Sequence, residues 1–241
     1  MTRSSIDGGT IDIEGEALPV RVMVNPRARR LILRIGRERM IRVTCPSHRH
    51  VKAALAMVNE RRQWISDRLD ETPPPVPLAL GVTLPVRGRD RLVVAHQNAS
   101  RAATLLDDII LVGGHDEASV HRRIETLLRR TALEACSAYA TDDAAQLGVT
   151  ITGIGVRQMT SRWGSCASDG RLSFNWRLAF APDHVLRYVV AHEVAHRRHM
   201  DHSPKFWRVV AELDPNYERA GQWLRRHGTG LHAYGQVPVH S

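Results

Sequence analysis

Residues 191–204 read AHEVAHRRHMDHSP, with four histidines in eleven residues and a glutamate between the first two. This stretch leaves the chain few local choices. Residues four apart stand one turn apart on the same face of a helix. A helix through His192 and His196 therefore lets both imidazoles converge on one ion. Glu193 lies about 100° further round that helix. Its carboxylate stays out of the ligand set yet reaches a water beside the ion, which is the placement of a general base. Ser203-Pro204 reads as the cap and first position of a new helix, so the chain must turn just before it.

Two protein ligands are too few for a tight catalytic zinc, which normally takes three plus a water. His202 lies in the turn and can swing back to the ion, which makes it the favoured third ligand. His199 competes, but a continued helix would stack three imidazoles along a straight line. Glu212 and Glu218, on following segments, are more distant options. One Zn2+ per chain is the expected cofactor. Zinc lowers the pKa of water and polarises a carbonyl or phosphoryl oxygen. Glu193 would take the proton of the attacking water and deliver it to the leaving group. With no cysteine in the set, a structural zinc finger is a poor match.

The rest of the chain supplies a frame of strands and helices. Val20, Val22 and Val24 alternate, as do Leu31, Leu33 and Ile35, and Ile41 and Val43 continue on a return strand after a turn at Gly36. Val51, Ala54, Leu55, Val58, Trp64 and Ile65 then repeat at helical spacing and predict one helix. Pro73 to Pro75 with Pro77 cannot sit inside a helix or central strand and read as a connector. Short strands and turns follow to residue 114. Val120, Ile124, Leu127, Leu128 and Ala135 mark a long amphipathic helix from Glu117, with Gly148 placed to end it. Strands are expected near 149–159 and 171–180, then a helix opened by Pro182 that carries the histidines. Two further helices follow, the last stopping at Gly228. This predicts an α+β fold in four parts: a flexible N-terminus (1–18), a β-rich part with one helix (19–114), a catalytic domain (115–228) and a flexible tail (229–241).

The stretch TSRWGSCASDGRLSFNWRL precedes the histidine helix. Phe174, Trp176 and Leu178 alternate with Asn175 and Arg177. An edge strand here could bind an extended peptide by strand addition. Asn175 and Trp176, with Arg162 from the preceding turn, are then the candidate substrate contacts. The other reading is a half-buried strand whose aromatics face the core.

Charge and cysteine content bound the setting. The net charge is +9, and only Lys52 and Lys205 among the 34 basic residues are lysine. A nucleotide or nucleic-acid partner for this arginine-rich surface is one reading. The arginines are scattered, however, and form no block of five or six like charges. The three cysteines, Cys45, Cys136 and Cys166, form no C-x-x-C pair, which suits a reducing cytoplasm. No apolar run approaches the roughly 18 residues of a membrane span, and the N-terminus lacks the apolar stretch of a signal peptide.

The motifs RWGSC, NWRL and VVAHEVAHRRHMDHSPKFW together resemble the YgjP-like metallopeptidase family, which is similar to the SprT-like and WLM zinc proteases. The RRLILRI and IRVTCP strands and the RRQWISDRL helix fit the same likeness. The resemblance implies a zincin-like catalytic domain with a mixed or antiparallel sheet and an active-site helix. It implies His192, His196 and His202 as zinc ligands, Glu193 as acid and base, and a peptide or protein substrate. The rival is a nucleotide phosphohydrolase, whose signature would be arginines over the metal, with Arg162, Arg177, Arg197 and Arg198 as candidates. A nucleic-acid-associated zinc protein is the third reading.

Overall fold

The computed structural model describes residues 4–36, 39–70, 73–96, 102–114 and 116–236. The expected ends at 1–3 and 237–241, and residues 71–72 ahead of the proline run, lie outside the described residues. The chain divides between Val76 and Pro77 into two units.

In the first unit, the valine alternation builds β2 (Glu16–Val24). Val20, Val22 and Val24 are buried, while Arg21 between them is exposed. β2 pairs antiparallel with β1 (Ser4–Ile13) and parallel with β4 (Ile41–Cys45). β3 (Ile32–Ile35) closes the order β1-β2-β4-β3. The described part of the N-terminal segment expected to be flexible is thus a strand of a hairpin. Ile11 and Ile13 face the core and give the period of two that its polar and glycine residues obscure. Glu14 and Gly15, at φ 53° and 86°, make the two-residue turn. The helix expected over the next segment is two, α1 (Val51–Glu60) and α2 (Arg62–Asp70), broken at Arg61. Ala54, Val58, Ile65 and Leu69 pack into the same core as the sheet.

The second unit starts at Pro77, so the boundary expected at 114/115 falls inside it. The prolines before it offer no N–H to a ladder, and the chain separates there. The strands expected to belong with the N-terminal part instead join the histidine-bearing unit. They are β5 (Thr83–Val86), β6 (Arg89–Ala95), β7 (Thr104–Leu105) and β8 (Ile109–Val112), in the order β5-β6-β8-β7. Arg87 N–H, in the β5–β6 turn, donates to the Ala179 carbonyl at 2.8 Å.

α3 (Glu117–Leu147) starts where Asp116 accepts from the Ser119 N–H and stops at Gly148, which is left-handed at φ 63°. A three-stranded mixed sheet follows: β9 (Gly153–Arg157), β10 (Gly164–Cys166) and β11 (Arg171–Asn175), in the order β10-β11-β9. β11 is central, not an edge, and the edge beside it is β10. After Asn175 the chain turns into a short 3-10 helix (Trp176–Phe180), so the alternation through Trp176 and Leu178 is not a strand. Then come α4 (Asp183–Ala195), α5 (Pro204–Leu213) and α6 (Tyr217–Leu231). α6 runs three residues past Gly228. Leu231, His232 and Ala233 are buried, so the expected flexible tail is packed over its first residues. The reason is Trp163. Its indole stacks on His232 at 4.7 Å, and a Cβ on residue 228 would stand 3.3 Å from its Nε1. Gly228 is a contact point, not a stop signal.

Apolar faces of α3, β11, α4 and α5 share one core, including Cys136, Ala140, Leu172, Phe174, Val190 and Phe206. Arg187 on α4 ties three helices together. It bonds both carboxylate oxygens of Asp143 on α3, at 2.6 and 2.7 Å, and the Leu213 carbonyl at the end of α5. The architecture is α+β, with six α-helices and three mixed sheets among the described residues. No helix among the described residues is long and apolar enough to cross a membrane.

Candidate active site

His192 and Glu193 stand on the last turn of α4, and His196 is its C-cap residue. The backbone continues helically just beyond, with the His199 N–H bonded to the Ala195 carbonyl at 3.1 Å, and then turns. Ser203 and Pro204 start α5, so His202 lies between two helices and is carried back toward the first. Its Nε2 stands 3.2 Å from Nε2 of His192. One ring nitrogen from each of His192, His196 and His202 lies within 4.8 Å of the others, and these three form the one such cluster among the described residues. His199, Glu212 and Glu218 are not in it. His199 contributes its backbone carbonyl instead, 3.0 Å from Nδ1 of His196. That contact fixes the Nδ1 proton and leaves Nε2 as the donor nitrogen.

The three residues fit a metal ion. Two nitrogens bound to one tetrahedral zinc at about 2.0–2.1 Å lie about 3.3 Å apart, close to the observed 3.2 Å. Burial, and secondarily the neighbouring His196 and His202, lower the His192 pKa to about 4, and burial lowers that of His196 too. Both are therefore held in the neutral form that binds metal. The triad rests on Phe206 of α5, whose ring centroid is 4.9, 4.6 and 4.8 Å from those of His192, His196 and His202. Phe206 is fully buried and locks the rotamers of all three. Its place four residues after His202 was the signal available in the sequence, but nothing distinguished it there from an ordinary core aromatic.

Glu193 projects toward β10. It is 7% exposed, and burial pushes its carboxyl up to about 7, against the charge of Arg162 and a hydrogen bond from the Cys166 backbone. Gly164 makes room for it, since a Cβ there would lie 2.5 Å from Oε1. The histidines and Glu193 open into a cavity of about 460 Å3, lined also by Arg162, Trp163, Tyr188, Met200 and Leu224. Tyr188 and Leu224 were not anticipated, because they come from helical positions without a motif.

Of the three expected substrate contacts, only Arg162 lines this cavity. Asn175 is fully buried and committed. Its Nδ2 donates to the Met159 carbonyl at 3.0 Å, and its Oδ1 accepts from the Arg177 N–H. Trp176 is 1% exposed, donates to Gln158 and carries the Arg177 guanidinium over its ring. Both side chains are buried in the fold behind the cavity. Of the four arginines suggested for phosphate chemistry, Arg162 lines the cavity and the other three are committed elsewhere. Arg177 bonds Gln158 and the Tyr234 carbonyl, Arg197 the Thr150 and Ser168 carbonyls, and Arg198 the Leu147 carbonyl.

Residues 29–227 match the family described as YgjP-like, metallopeptidase domain. No curated protein matches. Among solved structures, the chain is similar to the metallopeptidase zymogen abylysin of Pyrococcus abyssi. The identity is 21% over 39% of this chain and 92% of that one, and the TM-score is 0.34. That likeness is too slight to carry either fold or function across. The family match spans most of the chain and includes every residue of the site. A metallopeptidase acts on peptide or protein substrates, so the cluster of His192, His196 and His202 sits in a hydrolase: the chain belongs to the YgjP-like metallopeptidase family.

Proposed function

We propose that His192, His196 and His202 hold one zinc ion and that Glu193 is the general base of peptide-bond hydrolysis. The observation that carries this reading is the convergence of three imidazoles beside a buried carboxylate, all four lining an open cavity. Bound there, zinc polarises the scissile carbonyl and lowers the pKa of water. Glu193 draws the proton from the attacking water and passes it to the leaving amine. A carboxylate takes the proton of the water and, once protonated, can return it to the leaving amine.

The sheet edge that lines the cavity, and so the edge for the substrate, is β10. Asn175 N–H donates to the Trp163 carbonyl, and Ala167 N–H to the Arg171 carbonyl. Alternation along an antiparallel pair then turns the backbone groups of Gly164 and Cys166 away from β11; the Cys166 N–H is held by Glu193, which leaves the Gly164 groups and the Cys166 carbonyl to a substrate strand. A peptide can add to that edge and bring its carbonyl to the histidines. Arg162 and Trp163 would flank it. The three cysteines are free, which suits a reducing compartment such as the cytoplasm.

The test is a proteome-derived peptide library incubated with zinc-loaded protein and read by mass spectrometry, with and without chelator. Cleavage that chelator removes and zinc restores supports the reading. Zinc-dependent hydrolysis of nucleoside triphosphates, with every peptide intact, would replace it.

A further inference from the structure

Away from the histidines, the second unit has another cavity, of about 700 Å3, between α3 and the β5–β6 strands. Arg87, Arg89 and Arg91 line it from the strands and their turn, and Arg130 from α3. Leu127 and Arg130 also line a second cavity of about 470 Å3, which adds Arg122 and Arg123. The two therefore form one depression that continues along α3. Six arginines face two carboxylates, Asp183 and Glu134.

The state of these side chains favours an anion. Arg91 is buried, and its guanidinium donates to the carbonyls of Leu106, Val86 and Arg89. It makes no ion pair among the described residues. Asp107 and Asp108 act on it, but only as weaker influences set against burial and Arg89. A buried positive charge tied only to carbonyl dipoles is a fixed source of positive potential. The Arg89 side chain is exposed and has no hydrogen-bond or ion-pair partner among the described residues. Arg130 has only a loose 3.8 Å pair with Glu134, both side chains more than half exposed, and such a pair is worth little. Arg87 is firmly engaged by Asp183, while Arg123 donates to the Gly113 carbonyl and Arg122 to the Ser119 hydroxyl, neither of which neutralises its charge.

The lining also selects among anions. Thr104 and Thr131 add hydroxyl donors, whereas no aromatic ring among the described residues lines either cavity. Bases of a bound nucleic-acid strand would find no platform for stacking. Planar guanidinium forks are matched to phosphate oxygens, and the volume is that of a small-molecule site. We propose that this depression binds a compact, multiply charged phosphate compound, an oligophosphate of about triphosphate size, at a site separate from the metal centre.

The probe is inorganic tripolyphosphate, titrated calorimetrically into the full chain at about 0.15 M salt, where loose surface attraction is screened. ATP, an oligothymidylate and an acidic peptide are run in parallel. Wild type and His196→Ala should bind one tripolyphosphate with equal affinity, which separates this site from any phosphate caught at the metal. Arg89→Glu should weaken binding at least tenfold. Arg122→Glu, at another exposed position, repeats the test should the first variant fail to fold. ATP binding as tightly as tripolyphosphate assigns recognition to the phosphates alone, and weaker ATP binding assigns it to the free oligophosphate. The proposal is overturned by non-saturable binding, by binding lost in His196→Ala but kept in both arginine variants, or by tighter binding of the oligothymidylate or the acidic peptide.

Discussion

Gly164 and Glu193 are in contact across the gap between β10 and α4, and a side chain on Gly164 would occupy the space of the carboxylate. Its Cβ would stand 2.5 Å from Oε1, 2.6 Å from Cγ and 2.8 Å from Cδ. Gly164→Ala must therefore displace Glu193 from its position while leaving the histidines in place. Displacement of a reacting group by about 1 Å costs roughly 100-fold in rate. Cleavage by Gly164→Ala should fall by at least that factor, with zinc content unchanged by elemental analysis. Wild-type rates in this variant would mean that Glu193 need not sit where it does.

The third ligand separates His202 from His199. His199 touches the cluster only through its backbone carbonyl, so His199→Ala should bind zinc as wild type does. His202→Ala removes a donor nitrogen. Outer partners of ligands are worth about 10–100-fold in affinity, and loss of the ligand itself should exceed that. A competition titration against a chromogenic chelator measures both variants. Equal losses would put the ligand set in doubt.

The Asp143–Arg187 pair fixes α4 to α3 behind the site. The Asp143 side chain is 2% exposed and that of Arg187 22%. Asp143→Ala leaves the guanidinium half-buried without its partner, which should cost about 3–5 kcal/mol. Urea unfolding followed by circular dichroism gives the value. A change below about 1 kcal/mol would show that the pair contributes geometry and not stability.

The thiols report on burial. Burial pushes Cys136 up to about 12 and also raises Cys45 and Cys166. Cys45 and Cys136 are fully buried, whereas Cys166 lies on the cavity wall. Iodoacetamide at about pH 8 acts on thiolate, so the folded chain should take up label slowly and at Cys166 alone. All three should react after denaturation. Label on Cys136 in the folded chain would contradict the packing of α3. The Cys166 adduct should also slow peptide cleavage, since it stands on the cavity wall beside Glu193.

What could be read from the sequence follows the length scale of each signal. His192, Glu193, His196 and His202 are near neighbours in the chain; helix geometry brings the first three together, and the turn ahead of Ser203-Pro204 brings back the fourth. The long helix and its left-handed Gly148 were legible for the same reason. Asn175 and Trp176 were misjudged because alternation over a few residues looks alike in a strand and in a strand that turns into a 3-10 helix. Only the pairing of β11 on both sides shows that it is no edge. Gly228 looked like a terminator because its contact, Trp163, is 65 positions away. The N-terminal hairpin was hidden by its Glu14-Gly15 turn, a weaker signal than Asn-Gly or Asp-Gly.

The most direct measurement is the rate at which Glu193→Gln, shown to carry one zinc per chain, cleaves a peptide that the wild type cleaves. Glutamine keeps the shape and loses the proton transfer. General acid–base catalysis contributes about 100- to 10,000-fold, so a loss in that range at full zinc occupancy is the predicted result. A zinc-loaded Glu193→Gln that cleaves at the wild-type rate would contradict the assignment of Glu193 as the base.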